Sequence, residues 1–116
     1  MESCSKKQNS YDHLIAKAFD LAALLHYQDS SVVSREIVKK NAGTVTLFAF
    51  DKGQGLSEHT APFDAAVYIL DGRVRVNISG KPHIAKKGQM IIMPANKPHS
   101  LKAIKKFKML LVMIKS

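Results

Sequence analysis

Cysteine occurs once, at Cys4. A single thiol excludes an internal disulfide and a zinc-ribbon cysteine set. Its setting in residues 1–10 is polar, which suits an exposed thiol and not a nucleophile. Tryptophan is absent and arginine is scarce: Arg35, Arg73 and Arg75 are three of the 18 basic residues. Arginine's planar fork dominates the bidentate reading of bases and phosphates. A lysine-rich chain without tryptophan is therefore not expected to be a dedicated nucleic-acid binder, despite a net charge of +9. No apolar run approaches the roughly 20 residues that a membrane-spanning helix needs. The first ten residues lack the apolar core of a secretory signal. The expectation is a cytoplasmic protein with no membrane span. Neither a glycine-rich phosphate loop nor a Ser-His-Asp arrangement is visible, so a serine or cysteine nucleophile has no support.

What is there is a chain of short strand signals. Apolar residues make up 46 % of the 116, a globular value, and the length fits one domain. Residues 1–10 are expected to form a flexible tail and residues 11–116 a single domain. From Tyr11 onward Leu14, Ala18, Leu21 and Leu25 fall at helical spacing, which predicts a short N-terminal helix. Asp20 is also placed to cap a shorter helix over 21–26. His13 and His26 read as surface positions. Residues 32–38 hold a β-branched run. Residues 44–50 alternate, with Thr44, Thr46, Phe48 and Phe50 on one face and Val45, Leu47 and Ala49 on the other. Residues 65–70 form an apolar run closed by Asp71-Gly72, a turn pair. In residues 73–79, Val74, Val76 and Ile78 are predicted inward and Arg73, Arg75 and Asn77 outward. Residues 90–93, 99–103 and 107–114 complete the series. The last is apolar almost throughout, as a strand covered on both faces would be. Many short strands with regular turns predict a sandwich or barrel.

Two hairpins each carry one histidine. The first runs from Gly53 through His59, Ala61 and Ala65 to Gly72. The second runs from Gly88 through Pro94, Asn96 and His99 to Ala103. Their spacing resembles the two signature motifs of the cupin family, G-x5-H-x-H-x3-E-x6-G and G-x5-P-x-G-x2-H-x3-N. The likeness covers roughly residues 32–116. It implies an all-β double-stranded β-helix, the cupin jelly-roll barrel, here preceded by a short helix. It also implies a site in which three histidines and one glutamate converge on a divalent metal. In this chain His59 and His99 stand at two of those positions, and Ala61 and Ala65 stand at the other two.

Alanine has no donor atom, and a catalytic metal normally takes at least three protein ligands. The metal expectation is thus limited to His59 and His99. They would hold iron, nickel, manganese or zinc weakly, if at all. Asp64, next to the lost glutamate, is a possible substitute if the turn is irregular. The exchange of a histidine and a glutamate for alanines also enlarges the cavity and makes it more apolar, which suits a small organic ligand. The expected pocket is lined by His59, His99, Tyr68, Phe48 and Met90, with Met109 behind. A binding module for a small or anionic ligand is preferred; the alternative is a metal-dependent dioxygenase or isomerase with an altered ligand set. The family likeness also implies a homodimer, with residues near the N-terminus and strand 32–38 in the interface.

Overall fold

The computed structural model describes residues 13–115. Within them run β1 (Val32–Lys40), β2 (Gly43–Phe50), β3 (Gly55–His59), β4 (Asp64–Asp71), β5 (Arg73–Ile78), β6 (Lys81–Lys86), β7 (Met90–Met93), β8 (His99–Ala103) and β9 (Phe107–Ile114). They pair into two antiparallel sheets, ordered β1-β2-β9-β4-β7 and β3-β8-β5-β6. The sheets face each other across one apolar core, giving an all-β double-stranded β-helix. The tail expected over 1–10 lies outside the described residues.

Side-chain alternation decides which residues reach the core. In β5, Val74 and Val76 are fully buried and alternate with exposed Arg73 and Arg75. In β4, Ala65, Val67 and Ile69 point inward on the same rule. β9 is the central strand of its sheet, between β2 and β4, and its apolar residues divide between the core face and the outer face. Phe107 and Met109 face the core, while Leu110 and Val112 face the other way. Phe50 and Phe107 stack in the core with centroids 4.5 Å apart and planes 4° from parallel. Gly72 carries the chain from β4 in one sheet to β5 in the other. Its φ is +80°, and a Cβ there would lie 2.0 Å from the Lys106 carbonyl oxygen. Only glycine meets both demands.

The N-terminal helix is not formed. One 3₁₀ turn, Leu21–Ala23, is all the helical structure among the described residues of the segment. Asp20 precedes it without a side-chain capping bond. Ala16 has φ +58°, a left-handed conformation that interrupts any longer helix. Tertiary contacts replace the helical ones. Lys108 Nζ donates to the Ala22 carbonyl at 2.6 Å, and the Tyr27 hydroxyl donates to Asp71 Oδ2 at 2.6 Å. Lys106 and Lys108 also sit 4.9 and 5.0 Å from the Tyr27 ring centroid. The segment is thereby strapped to the outer side of the five-stranded sheet. Leu47 and Ala49 lie on that side by register and are nevertheless buried.

Candidate functional site

The register of the second sheet builds the site. His59, the last residue of β3, is the Cα partner of His99, the first residue of β8. A register shift between Leu56 and His59 lets β3 deliver His59 onto the same side as the buried Leu101 and Ala103. His99 is 4 % exposed and His59 is exposed, so the pair spans the rim of the barrel from inside to solvent. The two Nε2 atoms are 3.1 Å apart.

Each ring is fixed by the carbonyl two residues before it in the chain. His59 Nδ1 lies 2.7 Å from the Ser57 carbonyl oxygen, and His99 Nδ1 lies 3.1 Å from the Lys97 carbonyl oxygen. A carbonyl only accepts, so each Nδ1 carries the hydrogen and donates it. In the neutral rings both Nε2 atoms are then acceptors. The rings meet at 70°, with centroids 4.4 Å apart. A head-to-head N–H···N arrangement would place the centroids about 5.4 Å apart, since such bonds are near linear. At least one ring axis is therefore inclined to the Nε2–Nε2 line.

The positions around the pair complete the picture. Ala65, at the place of the family's glutamate, is 3 % exposed and faces inward. Met93 and Met113 are its cross-strand partners, so these two methionines share its face. Sequence reasoning missed both. Alternation within residues 90–93 and 107–114 carried the signal, but the partners of those strands were unknown. The Asn96 N–H donates to the Ala61 carbonyl at 2.8 Å, tying the two motif turns together. Asn96 has φ +65° at the place of a family glycine. Asparagine is the side chain that best tolerates this region, so the exchange keeps the turn.

Several expected site residues lie elsewhere. Tyr68 and Met90 are cross-strand partners, and Tyr68 alternates with inward Val67 and Ile69. Both therefore face outward from the five-stranded sheet, and Met90 is 59 % exposed. They do not share a cavity with the histidines. Phe48 does face inward, but with Ile69 and Met109 it lies two inward ranks deeper than Ala65 and packs in the core. Asp64 is exposed, and its Oδ1 accepts the Ala95 N–H at 2.8 Å, so it is committed away from the pair. His83 lies on β6 opposite Val76, two strands from β8. Among the described residues no group of three or more His, Cys, Asp or Glu side chains is placed to hold a metal. Among the described residues the two imidazoles thus fall short of the three or more protein donors that a catalytic metal normally takes.

A closed jelly roll with paired imidazoles at its rim defines a class, and the comparisons place the chain within it. The family model described as Cupin domain matches residues 46–115, and the chain belongs to the cupin family. A conserved protein of unknown function from Streptococcus pyogenes is 38 % identical, with a TM-score of 0.83 over 87 % of this chain and 89 % of that one. A cupin 2 conserved barrel domain protein from Leptotrichia buccalis is 42 % identical, with a TM-score of 0.81; the match covers 84 % of this chain and 47 % of that one. A cupin superfamily protein from Desulfitobacterium hafniense shares the fold at 23 % identity, with a TM-score of 0.82 over 87 % and 93 % of the two chains. No curated protein matches the chain.

Proposed function

We propose that this cupin is a binding module for a small polar ligand, held at the rim of the barrel by His59 and His99. The observation that supports this is the commitment of both Nδ1 atoms to carbonyls while both Nε2 atoms stand side by side. Two acceptors with no donor between them are a poor arrangement for an empty protein and a good one for a guest that brings a hydroxyl or amino group. The buried His99 supplies an acceptor away from bulk water, where such a bond is stronger. Exposed His59 leaves a path in. The net charge of +9 favours a guest that carries negative charge elsewhere. The test is long-range ¹H–¹⁵N NMR on histidine-labelled, tag-free protein, titrated with small hydroxy and amino acids. Selective shifts at the Nε2 resonances of both residues, lost in His59→Ala and His99→Ala, are expected. One equivalent of iron, nickel, manganese or zinc retained by the purified protein and lost in those variants would defeat the proposal and favour a metalloenzyme.

The outer face of the five-stranded sheet supports a homodimer. Two consecutive ranks on β9, β4 and β7, Val112-Ala66-Ile92 and Leu110-Tyr68-Met90, contain no charged residue; the second continues into buried Leu47 on β2 and Arg35 on β1. Ile92 and Met90 are 61 % and 59 % exposed beside the edge strand β7. A second copy of the same uncharged patch is a partner that avoids the repulsion between two +9 chains. β1, expected in the interface, is also an edge strand, but it exposes Ser34, Glu36, Lys39 and Lys40.

A further inference from the structure

The four-stranded sheet carries the opposite kind of outer face. In β5, Arg73 and Arg75 both point outward. Lys86 on β6 is the direct cross-strand partner of Arg73. Lys102 on β8 is the direct partner of Arg75. All four are exposed. Directly paired side chains have Cβ atoms about 5 Å apart, and like charges at that separation destabilise a sheet. Glu58, which lines a surface cleft with Arg75 and Asn77, is the one counter-charge beside them: after Asp71 the chain has no acidic residue, while residues 72–116 hold eleven lysines and arginines. β5, β6 and β8 all come from that stretch, so Glu58 of β3 is the one carboxylate in the sheet. By contrast, Asp51, Asp64 and Asp71 accept hydrogen bonds outside this sheet.

The rest of the face narrows the partner. Ile84 is the other cross-strand partner of Arg75 and is 56 % exposed; Ile104, beside Arg73, is 37 % exposed. β5, β6 and β8 hold no Phe, Tyr or Trp, and His83 and His99 share the side of Val76 and Ile78, so this outer face has no platform on which bases would stack. It also has no protruding helix or ribbon for a duplex groove. A sheet face with cations around exposed isoleucines matches an anionic phospholipid surface, which takes charge from the headgroups and admits short aliphatic side chains. We propose that Arg73, Arg75, Lys86 and Lys102 form a docking face for anionic bilayers. The face uses neither the histidine pair nor the apolar patch of the five-stranded sheet, so it stands or falls independently of both.

Co-sedimentation of the full chain with vesicles of phosphatidylcholine, alone or with phosphatidylserine, tests the assignment. Binding to the anionic vesicles alone is expected, and it should weaken as salt shortens the screening length. Arg75→Gln with Lys102→Gln should weaken it roughly 30-fold, given the usual contribution of each basic residue near an anionic surface. Lys17→Gln with Lys39→Gln removes the same charge away from this sheet and should change binding by less than about 3-fold. Ile84→Ser, which keeps every charge, should also weaken it, and His99→Ala should bind as the unaltered chain does. Equal losses in the two double variants would reduce the effect to net charge and overturn the assignment. Tighter binding to duplex DNA at the same salt, lost in Arg75→Gln with Lys102→Gln, would overturn it in favour of nucleic acid.

Discussion

Putting back the two missing donors tests the reasoning about the site most directly. The variant is Ala61→His with Ala65→Glu. With metal–nitrogen bonds of about 2.1 Å, the 3.1 Å between the Nε2 atoms corresponds to an angle of about 95° at a shared ion, suitable for neighbouring ligands. Spacing is thus not the obstacle; the number of donors is. The new carboxylate replaces a methyl group that is 3 % exposed and faces Met93 and Met113. Without metal it is a buried acceptor with no partner, and the variant should lose about 1–3 kcal/mol of stability. Nickel or zinc at a hundred times its dissociation constant returns about 2.7 kcal/mol. For a domain of this size that corresponds to a rise in Tm of about 10 °C. Differential scanning fluorimetry with and without metal, together with elemental analysis, reads both effects. The unaltered chain should gain less than about 3 °C and hold well under one equivalent. A folded variant that gains nothing would show that the geometry, and not the donor count, is at fault. An unaltered chain that binds one equivalent with the same shift would show that two imidazoles suffice.

Three further outcomes follow from the packing. Gly72→Ala forces a Cβ to within 2.0 Å of the Lys106 oxygen at a φ of +80°, and should cost about 3 kcal/mol or more in urea unfolding; a loss below about 1 kcal/mol would contradict the close approach. Tyr27 is held well above the usual tyrosine range, first by burial and then by its hydrogen bond to Asp71 and the charge of that carboxylate. Its proton is therefore bound more tightly in the folded chain than in the unfolded one, so its contribution to stability is complete below about pH 10 and declines above it. Tyr27→Phe should flatten that alkaline decline in a pH series of thermal melts; an unchanged decline would assign it to other groups. Ile92→Glu should convert a dimer to a monomer in light scattering at micromolar concentration without loss of Tm, whereas a dimer that persists would move the interface away from β7.

The sequence was most readable where one strand had one wet face. In residues 73–79 the valines alternate with arginines, and β5 forms over Arg73–Ile78 with that division of faces. The two histidines were readable as a pair because motif spacing encodes which strands neighbour each other. Where both faces are covered, alternation loses its meaning. Leu47 and Ala49 are as buried as Phe50, because the N-terminal strap crosses the outer side. The same ambiguity misplaced Tyr68 and Met90. An apolar residue on an open outer face has the same signature as one in the core, and only the register between β4 and β7 separates them. The short helix expected from Tyr11 onward failed for a related reason. Its periodicity was real, but Ile15 and Phe19 are left 46 % and 42 % exposed. The hydrogen bonds that fix the segment come from Lys108 and Asp71, far away in the chain.

Under the binding function proposed above, the tethering of each imidazole to a carbonyl two residues back has an entropic consequence. A guest arriving at the rim meets rings that have already surrendered their torsional freedom during folding, so the ordering cost of capture falls on the guest alone. Recognition of this kind resembles a rigid socket, and discrimination among candidate guests then rests on shape and donor placement with little adaptation by the protein.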